Sequence, residues 1–457
     1  MRGLTLLFSY LINSAAVLAV VQAHTGTAPG KTPHFQTLPS LREQAELLDA
    51  WTEERKALIP GLLRKYNIDA WLMSQREYAE DTVFWALKEA TQFSARRRTT
   101  HLFLADPAGG TPASYAWIEN TDAVWAELRE ILAAQQPSTI ALNTHPEIAF
   151  SGGLHAGELD AVVKGVGEEW KDKFVLEPML GVELIATMVR SRLPWYRRMM
   201  ETAWAIIEEG FSEEVIAPGK STSWDVEWWM REKIQSLNYT TWFQPSVFIL
   251  TGSGWPAADD ASATDDPRAP DRPIKFGDLI HTDFGVSALG LNTDTQHIGY
   301  VLYPGETEAD IPKGMIEGLK KVNRLQDIVK GNMKIGITGN EILKAARKQM
   351  QSEGIEGKIY CHATGEWGHS AGTVIGMTNL QDKVPVLGDL PLLKNTYYSI
   401  ELFAEHFVPE LNRTIVFPQE EDVYWDEEKN SWEWVYGRQE ELLLVRTPVD
   451  VRASEEL

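Results

Sequence analysis

Cysteine is nearly missing from this chain. Cys361 is the single one in 457 residues, so no intrachain disulfide can form and the fold must be held by its core. Basic side chains are scarce relative to acids: 43 Lys and Arg stand against 65 Asp and Glu, a formal net charge of −22. That balance excludes a phosphate backbone as partner, because nucleic-acid binding draws on clustered Lys and Arg. Hydrophobic residues at 44% and charged residues at 24% leave neither the low hydrophobicity of disorder nor a membrane-spanning excess. The bulk of the chain reads as folded and soluble.

What is present begins with an export signal. Arg2 supplies the positive start, Leu4 to Val21 is mostly apolar, and Val21-Gln22-Ala23 ends in small-residue cleavage style. Ser9, Asn13 and Ser14 dilute the run and no basic stop-transfer cluster follows it. The expectation is a signal peptide over 1–23, cleavage after Ala23, no stable membrane insertion afterwards, and a secreted protein, extracellular or periplasmic. The sequons at Asn238 and Asn412 would be used only in a eukaryotic secretory route.

A chain of this length exceeds one hydrophobic core, so two domains are expected after a flexible segment over 24–40. Leu41, Ala45, Leu48 and Trp51 recur at helical spacing, and the short apolar runs Ala70 to Met73 and His101 to Ala105 have strand length. This alternation predicts a smaller α/β domain over 41–190. A second domain over 191–457 opens with a long amphipathic helix from Trp195 to about Glu214, broken at Pro218-Gly219. Trp255 to Lys275 reads as an acidic surface loop without the ligand spacing of an EF-hand. Phe417 to Tyr436, acidic and rich in tryptophan, reads as an inserted hairpin or flap.

Two turn-bounded runs, Phe276 to Gly285 and Leu291 to Gln296, predict paired strands that carry Asp283 and Asp294, 11 positions apart. Two carboxylates in one cleft either share a proton or hold a cation. Downstream lie His369 in Gly-His-Ser-Ala-Gly, Glu401 in Tyr-Ser-Ile-Glu-Leu, and Glu440 ahead of an apolar run. Each is embedded in small or apolar residues, where an unpaired charge is costly. Four carboxylates and one imidazole carry four negative charges, which two divalent cations would balance. The oxygen-rich set suits manganese, zinc, cobalt or iron, with manganese favoured.

In order, type and setting, Asp283, Asp294, His369, Glu401 and Glu440 resemble the five metal ligands of the family that contains methionine aminopeptidase, Xaa-Pro aminopeptidase, prolidase and creatinase. Ile216-Ala217-Pro218-Gly219 resembles that family's turn after its first long helix, and Phe276-Gly277-Asp278 its lead-in to the first aspartate. The likeness spans roughly Trp195 to Val445. It implies an α+β pita-bread fold preceded by a smaller α/β domain, as in the Xaa-Pro aminopeptidase and prolidase branch, and homodimer formation. It also implies roles: Asp283 on one metal, His369 and Glu401 on the other, Asp294 and Glu440 bridging, and Glu401 moving the water proton. The implied activity is dinuclear metal-dependent hydrolysis of a peptide or small amide, of Xaa-Pro aminopeptidase or dipeptidase type.

The family's peptide-cleaving members usually carry one histidine before the first aspartate and another seven positions after the metal-binding one. Counted from His369, the second position is Gly376, and Thr251 to Lys275 contains no histidine. His281 and His362 are therefore the candidate replacements: His281 shares a strand face with Asp283, lining the cleft or packing beneath it, and His362 precedes His369 by seven. Three alternatives stand beside the peptidase. They are a creatinase-like C–N hydrolase, a degenerate binding protein on the same fold, and a serine hydrolase using Ser370 of Gly-His-Ser-Ala-Gly as a nucleophile elbow.

Overall fold

Helix α1 (Leu41–Lys56) starts at a capping box in which Ser40 and Glu43 satisfy each other's backbone N–H groups. It belongs to a computed structural model that describes residues 32–252 and 272–447. The expected signal peptide, most of the flexible segment and nearly all of the acidic loop from Trp255 lie outside the described residues. Among those described, no helix is long and apolar enough to cross a membrane.

The first sheet contains β1 (Ala70–Arg76), β2 (Arg98–Leu104), β3 (Ser114–Ile118), β4 (Ile140–Ala141) and β5 (Phe174–Val175) in the order β3-β2-β1-β4-β5. β1 is buried at every position but its last, as suits a central strand covered on both faces. It pairs antiparallel with β2 and parallel with β4. Helices interleave with these strands, which gives the smaller α/β part.

The larger part begins with α2 (Leu193–Gly210) and α3 (Ser223–Ser236). Strands β6 (Ser246–Ile249), β7 (Leu279–Phe284) and β8 (Thr295–Val301) follow, then helices α4 (Lys313–Asn332) and α5 (Gly339–Ser352). The chain ends in β9 (Gly357–Ile359), β10 (His362–Thr364), β11 (Tyr397–Val408), β12 (Arg413–Asp426), β13 (Ser431–Trp434) and β14 (Leu443–Val445). These strands form one curled, mostly antiparallel sheet in the order β9-β11-β12-β8-β7-β6, with β10 on β11, β13 on β12 and β14 parallel to β8. The architecture is the expected α+β pita-bread type.

Strand alternation decides what each face carries. Ile280, Phe284 and Val301 share a core with α2 and α3, while Ile400, Leu402, Ala404 and Phe417 share one with α4 and α5. Both helix pairs therefore back the same face. The intervening residues, among them Asp283, Gln296, Glu401 and Glu420, turn to the other. Trp51 of α1 is buried in the core of α2 and α3, so the first helix is tied to the larger sheet.

Of the two expectations for Phe417 to Tyr436, the flap does not form and the hairpin does. Its first half lies in β12, a central strand buried from Phe417 to Tyr424, and its second half returns as β13. Trp432 is 4% exposed and donates from Nε1 to the Met333 carbonyl at 3.0 Å. The local excess of acids suggested a solvated surface; the structure distributes them to two sides of a buried sheet.

Candidate metal centre

The site is built from strand register. Asp283 of β7 lies directly opposite Gln296 of β8, Gln296 opposite Glu420 of β12, and Glu420 opposite Glu401 of β11. Directly opposed residues bring their side chains together on one face. Four strands thus present Asp283, Gln296, Glu420 and Glu401 as one transverse row.

Asp294 and His362 enter from the ends of elements. Asp294 immediately precedes β8, and its N–H donates to Asp422 Oδ2 at 3.2 Å. The same oxygen accepts from the Tyr196 hydroxyl of α2 at 2.8 Å, which anchors this corner to the helix layer. His362 opens β10 opposite Ser399, whose hydroxyl donates to Glu420 Oε1. The His362 Nδ1 lies 3.0 Å from the Ala363 carbonyl and so carries the proton. Its Nε2 is then a lone pair aimed into the acids, 3.6 Å from Asp294 Oδ2, 3.7 Å from Glu420 Oε1 and 3.8 Å from Glu401 Oε2.

The potential ligand atoms fall into two groups, each within 4.8 Å: Asp294, His362 and Glu420, and Asp283, Glu401 and Glu420. Glu420 is common to both. Burial pushes the Asp283, Asp294 and Glu401 carboxyls well above the usual range, and the adjacent Glu420 charge adds to each shift. His362 Nε2 and Asp283 Oδ1 are buried without any hydrogen-bond partner. Buried polar atoms are rarely left so, and both point at the carboxylate cluster. Four carboxylates and one imidazole lone pair, two of whose acceptor atoms have no other partner, form a ligand set consistent with two divalent cations.

Three of the five expected ligands, Asp283, Asp294 and Glu401, meet here; His369 and Glu440 do not. Glu440 has a side chain 61% exposed and pairs with Arg438 at 2.8 Å. Its neighbour Gln439 is the buried one, with Oε1 accepting from the Ile298 N–H at 2.9 Å and from Gln419 Nε2 at 2.6 Å. β14 joins the sheet beside Gly299 to Val301, beyond the acid row, so an acid leading into it cannot reach the cluster. Glu420 takes that place, and His362, expected as a pocket-lining catalytic histidine, takes the place of His369. Seven positions after His362 stands His369, so the spacing that failed when counted from His369 is met one step earlier.

A signal for Glu420 exists in the sequence. The exposed turn Pro409 to Asn412 joins β11 to β12, and Glu401 and Glu420 each lie eight positions outside it. Reflection through that turn pairs them. His281 is fully buried and meets Gln296 Oε1 through Nε2 at 2.9 Å, so it packs beneath the row rather than lining the cleft. Burial pushes its pKa down to about 3, and the imidazole stays neutral. Gly368 to Gly372 is irregular, with no helix following Ser370, so the nucleophile elbow is not formed. On the face away from the row, His297 Nε2 meets Glu421 Oε1 at 2.9 Å.

Beside the cluster lies a cavity of about 410 Å³ whose wall includes Glu401, His362, His369 and Tyr360. Ile148, Phe150 and Val182, from the first part of the chain, complete it. The exposed His369 meets the His362 ring edge-on at 4.6 Å and the Trp242 ring at 5.1 Å.

Comparisons with known proteins agree with the fold. The fold is similar to that of an X-Pro aminopeptidase from Thermotoga maritima MSB8, with TM-score 0.55 and 16% identity, covering 84% of this chain and 99% of that one. A dipeptidase from Pyrococcus horikoshii OT3 gives TM-score 0.51 and 19% identity over 86% of this chain and 100% of that one. The dipeptidase PepE from Mycobacterium ulcerans gives 0.52 and 15%, over 87% and 99%. No match was found among curated protein sequences. Residues 196–445, which hold the whole acid row and His362, match the profile of metallopeptidase family M24, and the chain belongs to that family.

Proposed function

We propose that the protein is an exported, dinuclear metal-dependent peptidase of Xaa-Pro aminopeptidase or dipeptidase type. It would cleave a peptide or small amide bond near an N-terminus or beside proline. The observation that carries this reading is the sharing of Glu420 between two ligand groups, with the His362 lone pair aimed between them. Asp294, His362 and Glu420 would hold one cation, and Asp283, Glu401 and Glu420 the other, with manganese favoured. When bound, two such ions lower the pKa of water and polarise a carbonyl. Glu401 Oε2 faces the cluster and the residue lines the cavity, so this carboxylate takes the proton of the attacking water and passes it to the leaving amine. His369, at the cavity wall beside His362, donates to the oxygen of the carbonyl under attack. Ile148, Phe150 and Val182 offer an apolar surface for a proline-like or other apolar side chain.

Export rests on the apolar start of the chain, and homodimer formation on the resemblance to paired enzymes of this branch. Both are read from the purified mature protein, by its N-terminal residue and by its mass in light scattering. The activity test is metal quantification with a screen of Xaa-Pro dipeptides, longer peptides and non-peptide amides, with and without EDTA. Two equivalents of metal and an EDTA-sensitive cleavage are expected. A metal-free protein, or cleavage indifferent to EDTA, would sink the proposal.

A further inference from the structure

We infer that Gln296 is a positioning residue for the metal ligands, and that His281 holds its amide in that position from behind; this rests on the dinuclear reading above. Gln296 stands within the row, opposite Asp283 on one side and Glu420 on the other. Its Nε2 lies 2.6 Å from Glu401 Oε1 and 2.9 Å from Glu420 Oε2. Carboxylate oxygens accept, so both amide protons are committed to these two acids. The remaining Oε1 lies 2.9 Å from His281 Nε2, which must then donate.

The consequence is a division of labour among carboxylate oxygens. Gln296 engages Oε1 of Glu401 and Oε2 of Glu420. Glu401 Oε2 and Glu420 Oε1 are left facing His362 Nε2, at 3.8 and 3.7 Å. The amide thus turns one oxygen of each acid toward the site where the cations would sit. It can do so in only one of its two flip states. In the other, its carbonyl oxygen would meet two carboxylates, lone pair against lone pair. The two acids and the His281 donor select the same state, and the donor completes the network by satisfying the amide oxygen. His281 is 0% exposed and Gln296 1%, so bulk water has no access to substitute for either.

The test compares wild type with His281→Leu, which removes the donor, and His281→Gln, which supplies an amide N–H in its place. Mn(II) affinity is read by competition with a chromogenic chelator, and the thermal midpoint of each metal-free protein is recorded. The Leu variant is expected to bind at least one Mn(II) about 10–100-fold more weakly, the range for losing an outer hydrogen bond that orients a ligand. The Gln variant is expected to recover most of that loss. Gln296→Leu should lose at least as much as His281→Leu, with the double variant no worse than Gln296→Leu, since His281 acts on the acids only through Gln296. Wild-type affinity in His281→Leu overturns the inference. So does a loss that His281→Gln fails to recover and that tracks a lowered metal-free midpoint, since that outcome marks a packing role. A wild-type protein that takes up no Mn(II) sinks the dinuclear reading itself, and this inference with it.

Discussion

Glu420 and Glu440 carry the same carboxylate into opposite surroundings. Glu420 is 1% exposed and lies within reach of Asp283, Asp294, His362 and Glu401, whereas the Glu440 side chain is 61% exposed beside Arg438. Glu420→Gln is expected to lose at least one equivalent of bound metal and to lower any EDTA-sensitive rate by 10²-fold or more, on the order of 3 kcal/mol of barrier. Glu440→Gln should change neither by more than about twofold, since exposed ion pairs contribute little. Elemental analysis beside a rate measurement decides it; metal loss confined to Glu440→Gln would reverse the assignment. Composition could not separate these two acids. Glu440 precedes Leu-Leu-Leu-Val and looks like a carboxylate about to be buried, while Glu420 sits in Glu-Glu-Asp near tryptophans and looks solvated. Asp283, Asp294 and Glu401 were legible because each is a lone acid in a strand-like setting. The two histidines fit two reading frames of the same seven-residue spacing, and only the β10 to β11 register chooses between them.

At the scale of elements, the helices and the strand pair around Asp283 follow from periodicity and turn residues, and the structure contains them. The failure was β12. A strand buried on both faces lacks the alternation that marks a half-exposed one, and this one carries Gln419, Glu420, Glu421 and Asp422 in succession, all buried. Even-numbered acids serve the metal cluster and its Asp294 corner; Glu421 serves His297, Thr295 and the Gln439 backbone behind the sheet. The returning strand β13 puts one residue, Trp432, into the core. Trp432 packs edge-on against Tyr398 at 5.8 Å and Trp425 at 5.6 Å. Trp432→Ala should therefore cost about 3–5 kcal/mol of stability, measured as a shift in the urea midpoint. A loss below about 1 kcal/mol would return this hairpin to the role of a surface elaboration.

Among the described residues, the first and larger parts meet around the cavity, and α1 is tied to the larger one. Arg55 of α1, 0% exposed at its side chain, pairs with Glu366 at 2.6 Å, three positions before His369. Residues far outside the M24 match therefore fix the loop that lines the cavity. The smaller part also answers to pH in its own way. Burial pushes His101 of β2 down to about 4, below its ordinary value near 6.5. Between those values the unfolded chain binds a proton that the folded chain refuses, so this stability is complete above about pH 6.5 and is lost as pH falls toward 4. Thermal midpoints of wild type and His101→Gln, compared at each pH from 7 to 4, should converge as acid is added. A gap that stays constant would mean that His101 titrates alike in both states.

The eight-residue symmetry about Pro409 to Asn412 has a consequence for how this chain can vary. The turn is solvent-facing, the kind of place where added or missing residues are ordinarily harmless. Here one extra residue, taken up as a shift of register, would put Gln419 opposite Glu401, one fewer would put Glu421 there, and either would turn every following side chain of β12 through the sheet. Length at this outer bend, remote from the acid row, therefore bears on which side chain of β12 stands across from Glu401.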